Sequence, residues 1–301
     1  MAKNDRAARA FWAFLLAASA LSTQSCSESS IPSIAQNPSN AAKGAGPVPA
    51  PGRESGQGGL VVSVESNYPP LNMIDDQGKN TGFEIELLDA IARESGLTLR
   101  YKILPFEAMF DELQTGQIDV VASGVTLTEA RKRDVDFTDS YFQTYQGIFR
   151  SDPGRCGSKE EGIKPDDVDW KTDVVAVQKG ATSESLALEK VGNRPGAVVS
   201  GQTLYDAILA TVEGRATVTL ADAAPLMYFN SRRANRPGCA GPLKDTPTDH
   251  FAFAVAKGDP KGAIEPFNDA LAALNESGRY RKIYVKWFGQ EPRNLTDGKS
   301  Q

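Results

Sequence analysis

The chain has 301 residues, is 40% hydrophobic and 24% charged, and carries a formal net charge of −5. That length accommodates about two domains, and the composition is that of an ordinary globular protein. The first 25 residues hold Lys3, Arg6 and Arg9 against Asp5, so the remainder sits at about −7. An acidic body excludes nucleic acid and an anionic membrane surface as partners.

Residues 1–25 read as an export signal. Lys3, Arg6 and Arg9 form a charged start, and Ala10 to Leu21 is an apolar run too short to span a bilayer comfortably. Two endings fit. Ala18-Ser19-Ala20 suits a general signal peptidase, and Cys26 suits the lipid-modified first residue of a lipoprotein, although the leucine usual three residues before it is missing. The chain has three cysteines, an odd number for an exported protein. Cys156 and Cys239 flank one segment and can pair in an oxidising compartment. Lipidation would account for the remaining Cys26; a spare cysteine in a cleaved or unstructured segment is the alternative. Residues 26–58 are rich in Ser, Pro, Gly, Ala and Asn, the composition of a flexible tether.

From Leu60 onward strands and helices alternate. The pattern predicts a strand at Leu60–Val64 and a helix at Phe83–Glu94, with Phe83, Leu87, Leu88 and Ile91 on one face and Gly96 ending it. A strand at Leu97–Leu104, a helix at Phe106–Gln114 and a strand at Ile118–Ala122 follow. Behind that last strand, Val120 to Arg133 reads VVASGVTLTEARKR. Ser123, Gly124, Thr126 and Thr128 let a ligand approach the backbone and supply donors, and Arg131 adds a two-pronged donor matched to a carboxylate. The same residues also read as an ordinary capped helix, with Thr126 or Thr128 as cap and Arg131 on a solvated face.

A second series follows. Strands are predicted at Val174–Val177, Ala197–Ser200 and Thr217–Leu220, and helices at Ser183–Lys190, Thr203–Glu213 and Asp222–Arg232. A strand at Phe251–Ala256 and helices at Pro260–Asn275 and Arg279–Trp287 complete the body. Alternation of this kind predicts doubly wound α/β architecture with parallel sheets in two similar lobes, and ligands bind such folds beyond the carboxyl ends of the strands. The single histidine, His250, has no metal-ligand cluster around it in the sequence, so no metal or cofactor is expected.

Several ordered pieces carry a family resemblance. They are Tyr68-Pro69-Pro70, Gly82-Phe83-Glu84-Ile85-Glu86-Leu87, Gly116-Gln117-Ile118-Asp119-Val120, Thr126-Leu127-Thr128-Glu129 with Arg131, Asp136-Phe137-Thr138-Asp139-Ser140-Tyr141, and Gly278-Arg279-Tyr280 leading to Lys286-Trp287-Phe288-Gly289. Over about Leu60 to Gly289 the chain resembles family 3 extracellular solute-binding proteins, the amino-acid receptors of ABC importers. The resemblance implies the type II periplasmic-binding-protein fold, two doubly wound lobes joined by two hinge segments. It places lobe 1 at 59–148 and 248–290, lobe 2 at 149–247 and a C-terminal tail at 291–301. It sets Cys156 and Cys239 near the two ends of lobe 2, which favours their pairing. It implies a monomer in the periplasm or cell envelope, anchored if Cys26 is lipidated, that delivers its ligand to an ABC permease.

The family match also assigns a site. Arg131, with Thr126, Gly124 and Ser123, meets the ligand carboxylate, joined by Thr182 from the other lobe. Asp222 meets the ammonium; a cap for the following helix is its alternative role. Tyr68 and Phe106 sandwich the side chain, or simply pack in the core. Glu65 meets a polar or basic side chain unless it turns outward to solvent, and Gln178 is a further pocket residue. The family usually carries an aspartate in the strand before Asp222, where Thr217 stands here. Two other readings remain: a periplasmic enzyme resembling cyclohexadienyl dehydratase, and a ligand receptor serving a sensor or a periplasmic dehydrogenase.

Overall fold

The computed structural model describes residues 59–157, 165–233 and 238–292. The export signal, Cys26, the tether and most of the C-terminal tail lie outside the described residues.

In chain order, β1 (Leu60–Val64) leads into a small antiparallel sheet of β2 (Asn67–Tyr68), β3 (Asn72–Ile74) and β4 (Asn80–Thr81). Then come α1 (Phe83–Ser95), β5 (Leu99–Ile103), α2 (Phe106–Gln114) and β6 (Val120–Val121). A short 3₁₀ turn at Arg131–Arg133 precedes β7 (Val135–Phe137) and the long strand β8 (Phe142–Arg150). The second series is β9 (Val175–Gln178), α3 (Thr182–Val191), β10 (Val198–Gly201), α4 (Leu204–Val212), β11 (Val218–Asp222) and α5 (Ala223–Ser231). The chain closes with β12 (Cys239–Pro242), β13 (Thr248–Phe251), β14 (Ala254–Ala256), α6 (Ile264–Glu276) and α7 (Arg279–Phe288).

These strands build two lobes. One sheet has the order β5-β1-β6-β14-β7 and the other β10-β9-β11-β8-β12. The sheets are mixed, which corrects the expectation of parallel ones. Strands β5, β1 and β6 run parallel, and β14 enters antiparallel to β6 and β7. Strands β10, β9 and β11 run parallel, and β8 is antiparallel to β11 and β12. The antiparallel members are strands that come from, or return to, the other lobe.

Each sheet is covered on both faces, and the alternation of side chains along a strand shows how. In the first, Val62, Val64, Val120 and Ala122 pack with α1, α6 and α7, while Val61, Val121 and Ala254 pack with α2. In the second, Val175 and Val177 meet Ala187 of α3, and Ala176 meets Ala207 and Ala210 of α4. Phe83 opens α1 in an aromatic cluster, edge-on to Tyr280, Tyr284 and Phe288. Gly96, left-handed at φ 72°, ends α1 as expected. Arg150, fully buried in the second lobe, is held by Asp173 at 2.8 Å and by the carbonyls of Asp167 and Thr217. Cys156 and Cys239 form a disulfide across 83 residues.

Two segments pass between the lobes. β8 pairs with β13 over Phe142–Tyr145 and with β11 and β12 from Gln146 onward. The strand expected at Phe251–Ala256 is therefore two strands. β13 belongs to the crossing with β8, and β14 to the first sheet.

Candidate functional site

Strands β1, β6, β9 and β11 end at one cleft between the lobes. Its walls are Glu65, Tyr68, Phe106, Ser123, Gly124, Thr126 and Arg131 from the first lobe and Gln178, Ala181, Thr182 and Asp222 from the second, drawn closely together around a narrow space. All ten residues that the sequence analysis named as ligand contacts stand here. A larger open groove, walled by Tyr228, Arg232 and Trp287, holds none of them.

Glu65 follows β1 and is 3% exposed, so it does not turn outward to solvent. Both its oxygens accept from Gln178 Nε2, at 2.8 and 2.9 Å, across the cleft. Burial pushes its carboxyl up to about 7, against the opposing effect of that amide. An amide already satisfying a carboxylate occupies the position where a cationic or amide side chain could donate.

Tyr68 sits on β2, and its hydroxyl donates to Asp222 Oδ2 from the opposite lobe. Asp222 ends β11 and stands at the N-cap position of α5, yet it makes no capping hydrogen bond. The capping role is thus not the one its side chain plays. Burial raises its carboxyl to about 7 and the charge of Asp249 adds to this; the hydrogen bond from Tyr68 and the charge of Arg131 oppose it.

The segment behind β6 departs from the helical alternative. Thr126 is not a helix cap but bridges Phe251 in an isolated antiparallel pair. Thr128 Oγ1 accepts from Arg131 N at 3.2 Å, which caps only the three-residue 3₁₀ turn. Without a longer helix there is no helix-dipole anion site here, so the donors are side chains and loop amides. Gly124 has φ 57°, and its N–H donates to buried Glu84 at 3.2 Å. A Cβ there would lie 3.0 Å from Tyr68, so glycine permits both the turn and the ring. The Ser123 hydroxyl is buried without a hydrogen-bond partner.

Nor is Arg131 on a solvated face. Its guanidinium lies 5.4 and 5.3 Å from the ring centres of Phe106 and Phe110. It donates to Thr126 O at 2.9 Å and, across the cleft, to Gly180 O at 3.2 Å. Burial lowers its pKa to about 10, so it stays cationic at neutral pH. Phe106, edge-on to Phe110, thus both packs in the core and walls the pocket. Thr182 is the first residue of α3 rather than its cap, which is Ala181. Its Oγ1 accepts from Gln146 Nε2 at 3.3 Å.

Sequence reasoning missed four contributors. Glu84 lies under Gly124, also receiving hydrogen bonds from Asn72 and Tyr141. Gln146 on β8 lies opposite Asp222 and donates to Thr182, while Asp249 on β13 lies opposite Thr144, two residues before Gln146 along β8. Among the described residues, no group of three or more His, Cys, Asp or Glu side chains could hold a metal ion.

The cleft therefore offers a cation and small donors at one place, and buried carboxylates at two others. Comparison with known proteins places this arrangement in a family. The model of bacterial extracellular solute-binding proteins, family 3, matches residues 60–290. A "Probable histidine-binding protein" of Neisseria gonorrhoeae is 30% identical over 235 residues, covering 77% of this chain and 85% of that one. The crystal structure of the arginine-, lysine-, histidine-binding protein ArtJ from Geobacillus stearothermophilus superposes with a TM-score of 0.71 at 27% identity, covering 78% of this chain and 97% of that one. An ancestral arginine-binding protein bound to glutamine gives 0.69 at 33% identity, covering 78% and 99%. The chain belongs to the bacterial extracellular solute-binding proteins of family 3.

Proposed function

We propose that this protein binds a free amino acid with a polar or basic side chain between its lobes and delivers it to an ABC permease. The observation that carries this reading is the pairing of charges around one cleft. Arg131 from the first lobe and Asp222 from the second stand on the wall of the same small space. A zwitterion needs donors for its carboxylate and an acceptor for its ammonium. Arg131, with Thr126, Ser123 and Thr182, supplies the first, with Gly124 leaving room for the ligand beside them, and Asp222 supplies the second. Glu65, with Gln178 beside it, takes a cationic or amide side chain, while Tyr68 and Phe106 flank it. The named ligands of the relatives, which include histidine, arginine, lysine and glutamine, support the same class.

A ligand touching both lobes favours the closed arrangement over open ones. The lobes then divide near 148 and 247, with 59–148 and 248–290 on one side and 149–247 on the other. The protein works as a monomer in the periplasm or cell envelope, tethered through residues 26–58 and anchored by lipid on Cys26.

Calorimetry of the purified protein with a panel of amino acids tests the reading. Arginine, lysine, histidine or glutamine should bind at least tenfold more tightly than leucine. Equal affinity for leucine and arginine would sink the side-chain assignment. Turnover of prephenate or arogenate would replace the receptor with an enzyme.

A further inference from the structure

Gln146 stands where the crossing strand β8 enters the second sheet. It lies opposite Asp222 in the antiparallel ladder with β11, and its backbone carbonyl accepts from Leu243 N at 2.9 Å. Directly opposed residues in such a ladder project to the same side, so the Gln146 side chain rises beside Asp222, a wall of the cleft. It is 4% exposed. Its amide Nε2 donates at 3.3 Å to Thr182 Oγ1, in the first turn of α3. Thr182 is itself a wall of the cleft.

That bond decides what the Thr182 hydroxyl can do. A hydroxyl has one proton to donate and two lone pairs that accept. An amide N–H only donates, so Gln146 occupies a lone pair and leaves the proton. A threonine in a helix can turn its proton back to a carbonyl three or four residues earlier. Thr182 opens α3, and among the described residues its hydroxyl donates to no group.

We propose that Gln146 is a positioning residue for carboxylate recognition: its amide holds Thr182 Oγ1 as an acceptor, so that the hydroxyl proton is presented to the carboxylate of the amino acid. This rests on the amino-acid reading of the cleft. Gln146, Thr182 and Asp222 stand on one sheet and its helix, so the hydroxyl is oriented before Arg131 meets it from the other lobe. Closure then has one less group to order. The carbonyl end of the amide, Gln146 Oε1, is buried without a partner. Turned over, the amide would take the Thr182 proton through Oε1 and leave none for the ligand. The two orientations therefore make opposite predictions for a side chain that can only accept.

The test is a double-mutant cycle on the full-length protein, read by calorimetry with the tightest binder among arginine, lysine, histidine and glutamine. Thr182→Val, which keeps the shape and loses the hydroxyl, should weaken binding about tenfold or more. Gln146→Met, of similar length and without a donor, should weaken it about threefold to tenfold. The double variant should bind about as well as Thr182→Val alone, because Gln146 acts through that hydroxyl. Gln146→Glu, an acceptor at neutral pH, should also lose affinity. Thermal melts of all five proteins report the fold separately. Losses that multiply in the double variant overturn the proposal, since a merely structural Gln146 would weaken binding equally with or without the Thr182 hydroxyl. Native affinity in Gln146→Glu overturns it too. Either result leaves the amino-acid reading standing. A wild type that binds none of the four amino acids sinks that reading and the role of Gln146 with it.

Discussion

The hydroxyl of Tyr68, on the first lobe, donates to the carboxylate of Asp222, on the second. The bond joins an aromatic wall of the cleft to its buried acid, and it favours the ionised form of that acid. In Tyr68→Phe the Asp222 carboxyl should therefore rise above about 7. Amino-acid binding that needs ionised Asp222 should shift its acid limb to higher pH. A hydrogen bond to a charged group contributes about 1.5–3 kcal/mol, so affinity at pH 7 should fall on the order of tenfold to a hundredfold. Calorimetric titrations from pH 6 to 9 check both effects; an unmoved acid limb would contradict the coupling.

Arg131 is held by two carbonyls and two aromatic rings, none of which belongs to the main hydrophobic core of the first lobe. Arg131→Ala should abolish amino-acid binding while the thermal midpoint falls by only a few degrees. Arg131→Lys should recover little, because an ammonium cannot reproduce the planar fork. Calorimetry and thermal melts of both variants separate loss of binding from loss of fold. Native affinity in Arg131→Ala would refute the zwitterion site.

Glu65 and Gln178 face each other across the cleft, so they set the side-chain preference together. In Glu65→Gln, affinity for arginine should fall by about tenfold or more, and affinity for glutamine should change less. The wild type adds a pH signature. Glu65 and Asp222 both titrate near 7, so arginine binding should strengthen with two proton losses as pH rises from 6 to 8. The variant should show one. Affinities measured across that range give the two slopes directly.

The parts of the fold that were legible in the sequence are those with local signals. The α1 stripe and its Gly96 stop, the α2 boundaries and the β1 run all follow from apolar spacing and turn residues. β8 was not legible, although it is the longest strand. Its buried positions Thr144 and Gln146 are polar, which hides the apolar alternation a strand normally shows. β13 and β14 merged into one expected strand because the break between them is tertiary, a change of partner rather than a turn residue. Of the ten cleft residues, Ser123, Gly124, Thr126 and Arg131 were legible as a clamp in the local sequence, and the other six came from the family resemblance. Gln146 escaped because its place opposite Asp222 depends on strand register, which no local spacing carries.

The disulfide makes a stability prediction that is independent of the ligand. It closes an 83-residue loop and ties the turn after β8 to the start of β12. Cross-linking that much chain restricts the unfolded ensemble, and its removal costs about 2–5 kcal/mol. The double variant Cys156→Ser/Cys239→Ser should melt well below the wild type, and reductant should lower the wild-type midpoint but not that of the variant.

The two raised carboxyls predict how stability depends on pH. Glu65 and Asp222 reach about 7 in the folded protein from ordinary values of 4.5 and 3.8. Between those limits the folded state holds more protons than the unfolded state. Stability therefore falls as pH rises through this window, the opposite of a salt-bridged carboxylate. Both groups are heavily buried, so solvent screening does little to weaken the effect. The protein without added amino acid should unfold at a higher temperature at pH 5 than at pH 7.5. Replacing the pair, Glu65→Gln with Asp222→Asn, should flatten that slope, since neither amide titrates. Saturating arginine should also flatten it, because bound cations favour the ionised carboxylates and add stability at the upper end. Melting curves at half-unit pH steps, with and without arginine, measure all three slopes. A wild-type midpoint that rises steadily from pH 5 to 7.5 would show that these two carboxyls are not held protonated by the fold.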